Sequence, residues 1–221
     1  DGRKKLYAER KKTAQIVQFN PLDEREMTRW IAKQLKGMGK KIASPTCQKL
    51  IFAAGNDLYA LSGELEKLAA CAGEREEILP EDIDAICVKT TAYRVYDLAN
   101  TLLRGDAGQA LTLSRALIRD GEEPLFLLAL LQGECRRMLA VKLLRGAGMQ
   151  PDAIAGKIGA PPFAVRQMYQ QVARYTERQL RDMAQCCMDT EYQVKSGRMA
   201  LEGALEKTML QLLRIRLEGK A

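Results

Sequence analysis

From residue 23 to residue 217, apolar side chains recur at spacings of three and four with polar side chains between them, the pattern of amphipathic helices. The clearest case runs from Gly55 to Leu68. Gly55 can take a left-handed conformation and stop one helix, and Asn56 or Asp57 can cap the next with a side-chain oxygen. Leu58, Leu61, Leu65 and Leu68 then make one stripe, flanked by Glu64 and Glu66. Glu64 and Lys67 are near enough on that helix to pair.

The same signals divide the rest of the chain. Asp23, with Glu26 three places on, predicts a capping box; Met27, Trp30, Ile31 and Leu35 line the face that follows, and Gly37 and Gly39 end it. Ser44 is expected to cap the next helix with Pro45 in its first turn, leading through Leu50, Ile51 and Ala54 to Gly55. A short helix is expected from Leu79-Pro80 to about Cys87. Helices then lengthen: Tyr96 to Leu103, stopped by Gly105; Asp106, with Gln109 at the capping-box position, to Arg119; and Pro124 to about Arg145. Four more are expected: Asp152 to Lys157, Pro161-Pro162 to about Arg174, a long one capped by Thr176 with Gln179, and one from about Ala200 to Leu217. Residues 2–12 read as a basic helical run. Only Gln15 to Phe19 reads as a strand, closed by Asn20-Pro21, and it is expected to be the edge of a sheet lying upstream. The fold class predicted is all-α: a helical bundle over 21–93 and a larger one over 94–221, after a remnant of another domain at 1–20.

Composition narrows the function classes. The 47 % hydrophobic and 29 % charged content is that of a globular protein. The longest apolar run, Pro124 to Leu131, is far short of the ~20 residues that span a membrane, so no membrane partner is expected. The opening Asp1-Gly2-Arg3-Lys4-Lys5 is charged, unlike a signal peptide, and with no initiator Met the chain is expected to be a piece of a longer protein. Six cysteines, at 47, 71, 87, 135, 186 and 187, include no C-x-x-C pair, and there is no histidine, so no metal site is expected. Free thiols in a reducing cytosol are the better account. No G-x-x-x-x-G-K-[ST] phosphate loop occurs and no nucleophile has an activating partner, so neither a cofactor nor a catalytic residue is predicted. The net charge of +7 is uneven: residues 1–20 carry six basic and two acidic groups, 21–93 ten and twelve, 94–221 nineteen and fourteen. A mild basic excess suits proximity to nucleic acid without proving it.

One pattern supports an alternative function, a helix-turn-helix DNA-binding regulator. Ala155 would sit at the tight contact, Gly159 in the turn and Val165 inside the second helix, which would offer Arg166, Gln167, Gln170 and Gln171 to a major groove. Pro161, Pro162 and Phe163 stand against it, because they occupy the start of that helix, where base-reading polar groups usually lie.

Taken in order, the motifs resemble a known family. Arg3-Lys4-Lys5-Leu6-Tyr7 and Val17-Gln18-Phe19 are similar to the end of the AAA+ nucleotide-fold domain of the delta subunit of the bacterial DNA polymerase III clamp loader. Trp30-Ile31 and the stretch from Gly55-Asn56-Asp57-Leu58 to Glu64-Leu65-Glu66-Lys67-Leu68 resemble its lid. Gly105-Asp106, Gly121-Glu122-Glu123-Pro124, Gln132 to Lys142, Ile154-Ala155 with Ile158-Gly159, Asp189, Lys195-Ser196-Gly197 and Leu201-Glu202 resemble its collar. The resemblance implies a cytoplasmic, non-catalytic scaffold within a polymerase holoenzyme whose activity is nucleotidyl transfer. Its implied partners are the motor subunits and delta-prime, the sliding clamp through a missing N-terminal domain, and primed DNA through the assembled complex. Related ATP-using lids carry arginine after the Asp-Leu step; here Tyr59 follows Asp57-Leu58, and a phenol supplies no permanent positive charge toward phosphate. The collar would supply the contacts between subunits. The helix over residues 125–143, with Leu125, Leu128 and Leu131 on one side and Phe126, Leu130 and Met138 around it, is the expected contact element, rimmed by Gln132, Arg136 and Arg137.

Overall fold

The computed structural model describes residues 13–15 and 20–218. The predicted basic helix over 2–12 and the strand over 15–19 lie almost wholly outside them, as does the upstream remnant they would belong to. Within them the chain is all-α, with a single pair of two-residue strands.

The first half holds four helices: α1 (Glu24–Gly37), α2 (Ser44–Ala54), α3 (Leu58–Ala72) and α4 (Pro80–Ile86). The capping box forms as its spacing predicts: the Glu26 amide donates to Asp23 Oδ1 at 2.7 Å and the Asp23 amide to Glu26 Oε2 at 2.9 Å. Ser44 is not the cap of α2; it is already helical, and Ala43 holds the cap position without a side-chain bond. Pro45 still opens the helix, where its missing N–H costs nothing. Gly55 has positive φ, as expected, but its ψ of −171° is extended rather than left-handed helical, so the chain leaves α2 straight instead of curling back. Asp57, not Asn56, caps α3 by accepting the Ala60 amide at 2.8 Å. Leu61, Leu65 and Leu68 are buried, whereas Leu58, in the first turn, lies outside the core. Glu64 and Lys67 pair at 2.8 Å. Two short strands have no counterpart in the sequence pattern: β1 (Lys41–Ile42) and β2 (Glu77–Ile78) pair in parallel, and such two-residue runs carry no usable periodicity. Arg75 locks the turn before α4 by donating two bonds to the Asp82 carboxylate at 2.9 and 2.8 Å. These bonds hold the Asp82 carboxyl below its ordinary range.

The second half holds seven: α5 (Thr91–Arg104), α6 (Ala107–Arg119), α7 (Pro124–Gly146), α8 (Pro151–Ile158), α9 (Pro162–Gln171), α10 (Glu177–Lys195) and α11 (Ala204–Glu218), with a 3-10 turn at Val172–Arg174. Helix α5 begins five residues earlier than its periodicity suggests, because Thr90 caps it and Tyr93 is already part of a buried face. It ends at Gly105, whose left-handed conformation (φ 83°, ψ 21°) needs glycine; the Arg216 side chain packs where a Cβ would stand. Thr176 and Gln179 form the predicted capping box of α10. Helix α11 starts four residues later than expected. It is tied down by Arg216 Nε donating to the Leu103 carbonyl at 2.9 Å and by Gln179 Nε2 donating to the Ile215 carbonyl at 3.1 Å.

The buried apolar side chains fall into two cores. One gathers Met27, Ile31, Leu35, Leu50, Leu61, Leu65, Leu68, Ile78, Ile83 and Tyr93; the other runs from Val95 to Leu212. Phe52 packs against both. It starts a chain of rings: Phe52 lies 5.4 Å from Tyr93 and 5.2 Å from Tyr96, and Tyr96 lies 6.5 Å from Phe163 on α9. Aromatic contacts at these separations are attractive beyond their burial. Tyr93 and Tyr96 sit one helical turn apart on α5, so the first turn of α5 serves both cores.

Candidate assembly surface

The long helix α7 is the centre of the second core. Its interior face is Leu127, Leu128, Leu131, Glu134, Cys135, Met138 and Val141. Of the residues expected at a contact, Leu128, Leu131 and Met138 are buried in this interior face, Leu125 and Leu130 are half-buried, and only Phe126 is exposed. Apolar groups also remain uncovered. Phe126 is 50 % exposed and Leu143 44 % on this helix, with Met188 and Tyr192 on α10 and Leu210 and Leu217 on α11 also exposed.

The three residues expected to rim a contact do not share one edge. Gln132 and Arg136 are one turn apart, the first half-buried and the second exposed. Arg137 is turned about 100° from Arg136 by the 3.6-residue period. It donates to the Glu134 carboxylate and lines a small cavity beside Ala160 and Pro161. Glu134 is not among the residues the sequence pattern singles out, although a signal is present: it lies three places after Leu131 and four before Met138, inside the apolar stripe. It is only 5 % exposed, and burial pushes its carboxyl above the ordinary range against the opposing pull of Arg137.

Tyr59 stands in the first turn of α3 with 91 % of its surface exposed. No arginine adjoins it in the sequence: its neighbours there are Asn56, Asp57, Leu58, Ala60, Leu61 and Ser62. Among the described residues no group of His, Cys, Asp and Glu could hold a metal ion, and no helix is long and apolar enough to cross a membrane.

The helix-turn-helix outline is present as geometry. Ala155 and Val165 are buried and Gly159 is left-handed (φ 62°, ψ 36°). The second helix is committed to its own chain. Arg166 pairs with Asp152 at 2.8 Å, Gln167 accepts the Tyr96 hydroxyl at 2.5 Å, Gln171 is half-buried, and only Gln170 of the four is exposed. Phe163 at its start packs on Tyr96 and carries the Lys49 ammonium 5.8 Å above its ring. Lys49 is itself buried and pairs with Asp84 at 2.6 Å. Arg166 and Gln167 on this helix, which packs against α2 and α5, are engaged within the chain, and nothing favours the regulator.

The cysteines behave as small apolar groups. Cys47, Cys87, Cys135 and Cys187 are buried, and burial pushes the Cys47 thiol to about 11 and Cys87 to about 12. Cys135 and Cys187 meet at 3.9 Å across α7 and α10 as free thiols.

The comparison with known proteins decides the family. The model of the C-terminal domain of the DNA polymerase III delta subunit matches residues 92–212, more than half of the chain. The chain belongs to the DNA polymerase III delta subunit family. It is 26 % identical to the DNA polymerase III subunit delta of Bacillus subtilis over 214 residues, covering 97 % of this chain and 62 % of that protein. The Escherichia coli protein of the same name is 25 % identical over 78 % of this chain and 50 % of its own length. Among solved structures, the Bacillus subtilis DNA clamp loader delta protein superposes with a TM-score of 0.65 at 26 % identity, covering 97 % of this chain and 63 % of its own. The chain thus spans less than two thirds of the relatives it matches. The family model begins at Ala92, beside the first turn of α5 that both cores share.

Proposed function

We propose that this chain is the scaffold portion of a clamp-loader delta subunit, its first core corresponding to the lid and its second to the collar, and that it assembles with the motor and delta-prime subunits without hydrolysing ATP itself. The observation that carries this reading is the match in sequence and fold along 97 % of the chain to a protein described as a DNA clamp loader delta protein. Two features support it. The lid position that would need a fixed cation holds the exposed, uncharged Tyr59. The second core leaves Phe126, Met188, Tyr192 and Leu210 uncovered on its long helices, and apolar groups left open on several helices suit burial by a neighbour. Gln132 and Arg136 would border that contact, with Arg137 about 100° further round α7. Clamp opening, contact with primed DNA and a place in the cytoplasm follow for the full-length protein on the same reading.

The test is reconstitution. The full-length protein that includes this sequence is mixed with the motor and delta-prime subunits of the same organism and analysed by native mass spectrometry. The expected result is one complex with a single copy of this chain, weakened by Phe126→Asp or Arg136→Glu, while the protein alone turns over no ATP. A protein that stays apart from those partners, or that hydrolyses ATP unaided, would overturn the proposal.

A further inference from the structure

Where the two cores meet, α1, α2 and the start of α5 face the α8–α9 hairpin across a groove of about 730 Å³. Its walls are largely apolar, among them Met27, Ile51, Phe52, Pro161 and Pro162. A smaller cavity of about 90 Å³ adjoins it, and the two share Phe52, Ala92, Gly159, Ala160 and Pro161. A space of that size holds about three waters, or the head of one long side chain, taking about 30 Å³ per water.

The charges around this space run against those of the chain. The sequence carries +7, yet the charged side chains lining the groove are Asp23 and Glu24, and those lining the cavity are Glu134 and Arg137. Arg137 meets one oxygen of Glu134 and keeps its own side chain 44 % exposed, so it stands at the solvent edge of the cavity. The other oxygen, Glu134 Oε2, is buried with no hydrogen-bond partner among the described residues. Gln48 Oε1, in the groove wall, is likewise buried without one. Both are acceptors, and a buried acceptor left unpaired is costly. These two oxygens therefore lack donors of their own, and for the Glu134 carboxylate a cationic donor suits best.

We propose that this junction docks a segment of a partner protein that carries a lysine or arginine between small apolar residues, with the cationic head hydrogen-bonded to Glu134 Oε2 and the flanking residues lying on the groove walls. The groove is of ligand-binding size and mostly apolar, which fits a peptide better than a free cation. Docking there would also bridge the two cores, since the segment would touch α2 on one side and the α8–α9 hairpin on the other. The inference is separable from the clamp-loader reading, because apart from Arg137 its residues lie away from the exposed apolar groups of α7, α10 and α11.

The test uses the full-length protein on an array of immobilised heptapeptides with arginine, lysine, glutamine or norleucine fixed at the centre and mixed residues around it. The arginine and lysine sets are expected to retain about tenfold more protein than the other two, which is the worth of one charge-assisted hydrogen bond. Two variants separate the site from general charge effects. Glu134→Gln removes the acceptor charge. Gly156→Phe fills the groove from α8, where an added Cβ meets nothing within 4 Å, so the helix keeps its backbone. Each is expected to erase the preference while circular dichroism stays unchanged. Equal retention at all four centres, or a preference kept in both variants, would overturn the proposal. So would arginine amide in solution displacing the protein as well as a soluble copy of the best heptapeptide, which would mean a free-cation site.

Discussion

Glu134 places a carboxylate inside an apolar core with only one of its oxygens paired. Its folded pKa is raised above the ordinary 4.5, chiefly by burial. The folded state therefore holds the proton more tightly than the unfolded one. The stability this group contributes is fully present below the ordinary carboxylate value and is lost as pH rises through its raised folded value. Denaturant titrations upward from pH 4.5 are expected to show that loss in the unaltered chain and a flatter profile in Glu134→Gln. Asp82 works in the opposite direction, its contribution present at neutral pH and lost on acidification, so the two are separable by the variant. The thiols give a second expectation. Only Cys71 is exposed; Cys186 is half-buried, with its thiol pushed to about 11 by burial. Thiolate is the reactive form. Brief maleimide treatment of the folded protein is expected to modify Cys71 first and Cys186 slowly, with the other four reacting only after denaturation, as read by intact mass.

Helix ends carry most of the legible information, and helix faces less. The Asp23–Glu26 and Thr176–Gln179 boxes stand where their spacing puts them, because a cap is a local bond among four residues and needs no tertiary contact. Thr176→Ala is expected to cost about 1 kcal/mol in chemical denaturation. The faces of α7 differ from expectation around Leu125 because every position from Pro124 to Leu131 is apolar, and a stretch apolar all round does not say which side is inside. The seam between α2, α5 and α9 is invisible in the sequence for another reason: Phe52, Tyr96 and Phe163 are far apart in the chain and meet only in the fold. Phe52 is half-buried and serves both cores, so Phe52→Ala is expected to cost about 3 kcal/mol, the lower end for losing a packed phenylalanine. Urea unfolding followed by Trp30 fluorescence and by circular dichroism is expected to diverge in this variant, because Trp30 reports the first core alone.

Two cores joined at one aromatic seam make a chain whose halves can shift stability separately while sharing the base of α5. The family match over 92–212 covers the second core, and the fold match extends over both. This arrangement explains why the outline of a helix-turn-helix survives without its use: α9 spends Arg166 and Gln167 on bonds within the chain and its first residues on the seam. It also explains the placement of charge, with an acidic, acceptor-rich groove inside a basic chain.

Periodicity and capping residues are enough to set the helical class and most helix ends, because both depend on contacts within one or two turns. The family resemblance is equally legible, since order and spacing of short motifs survive in the linear chain. What the fold alone decides is which apolar residues of α7 turn inward, that Glu134 is buried among them, that Arg137 serves that carboxylate while Arg136 faces solvent, and that a groove opens between the cores. Apart from the Arg137–Glu134 pair, whose three-residue spacing within one helix is local, each of these depends on the angle at which distant helices cross, and that angle is set by side chains too far apart in sequence for any local pattern to relate.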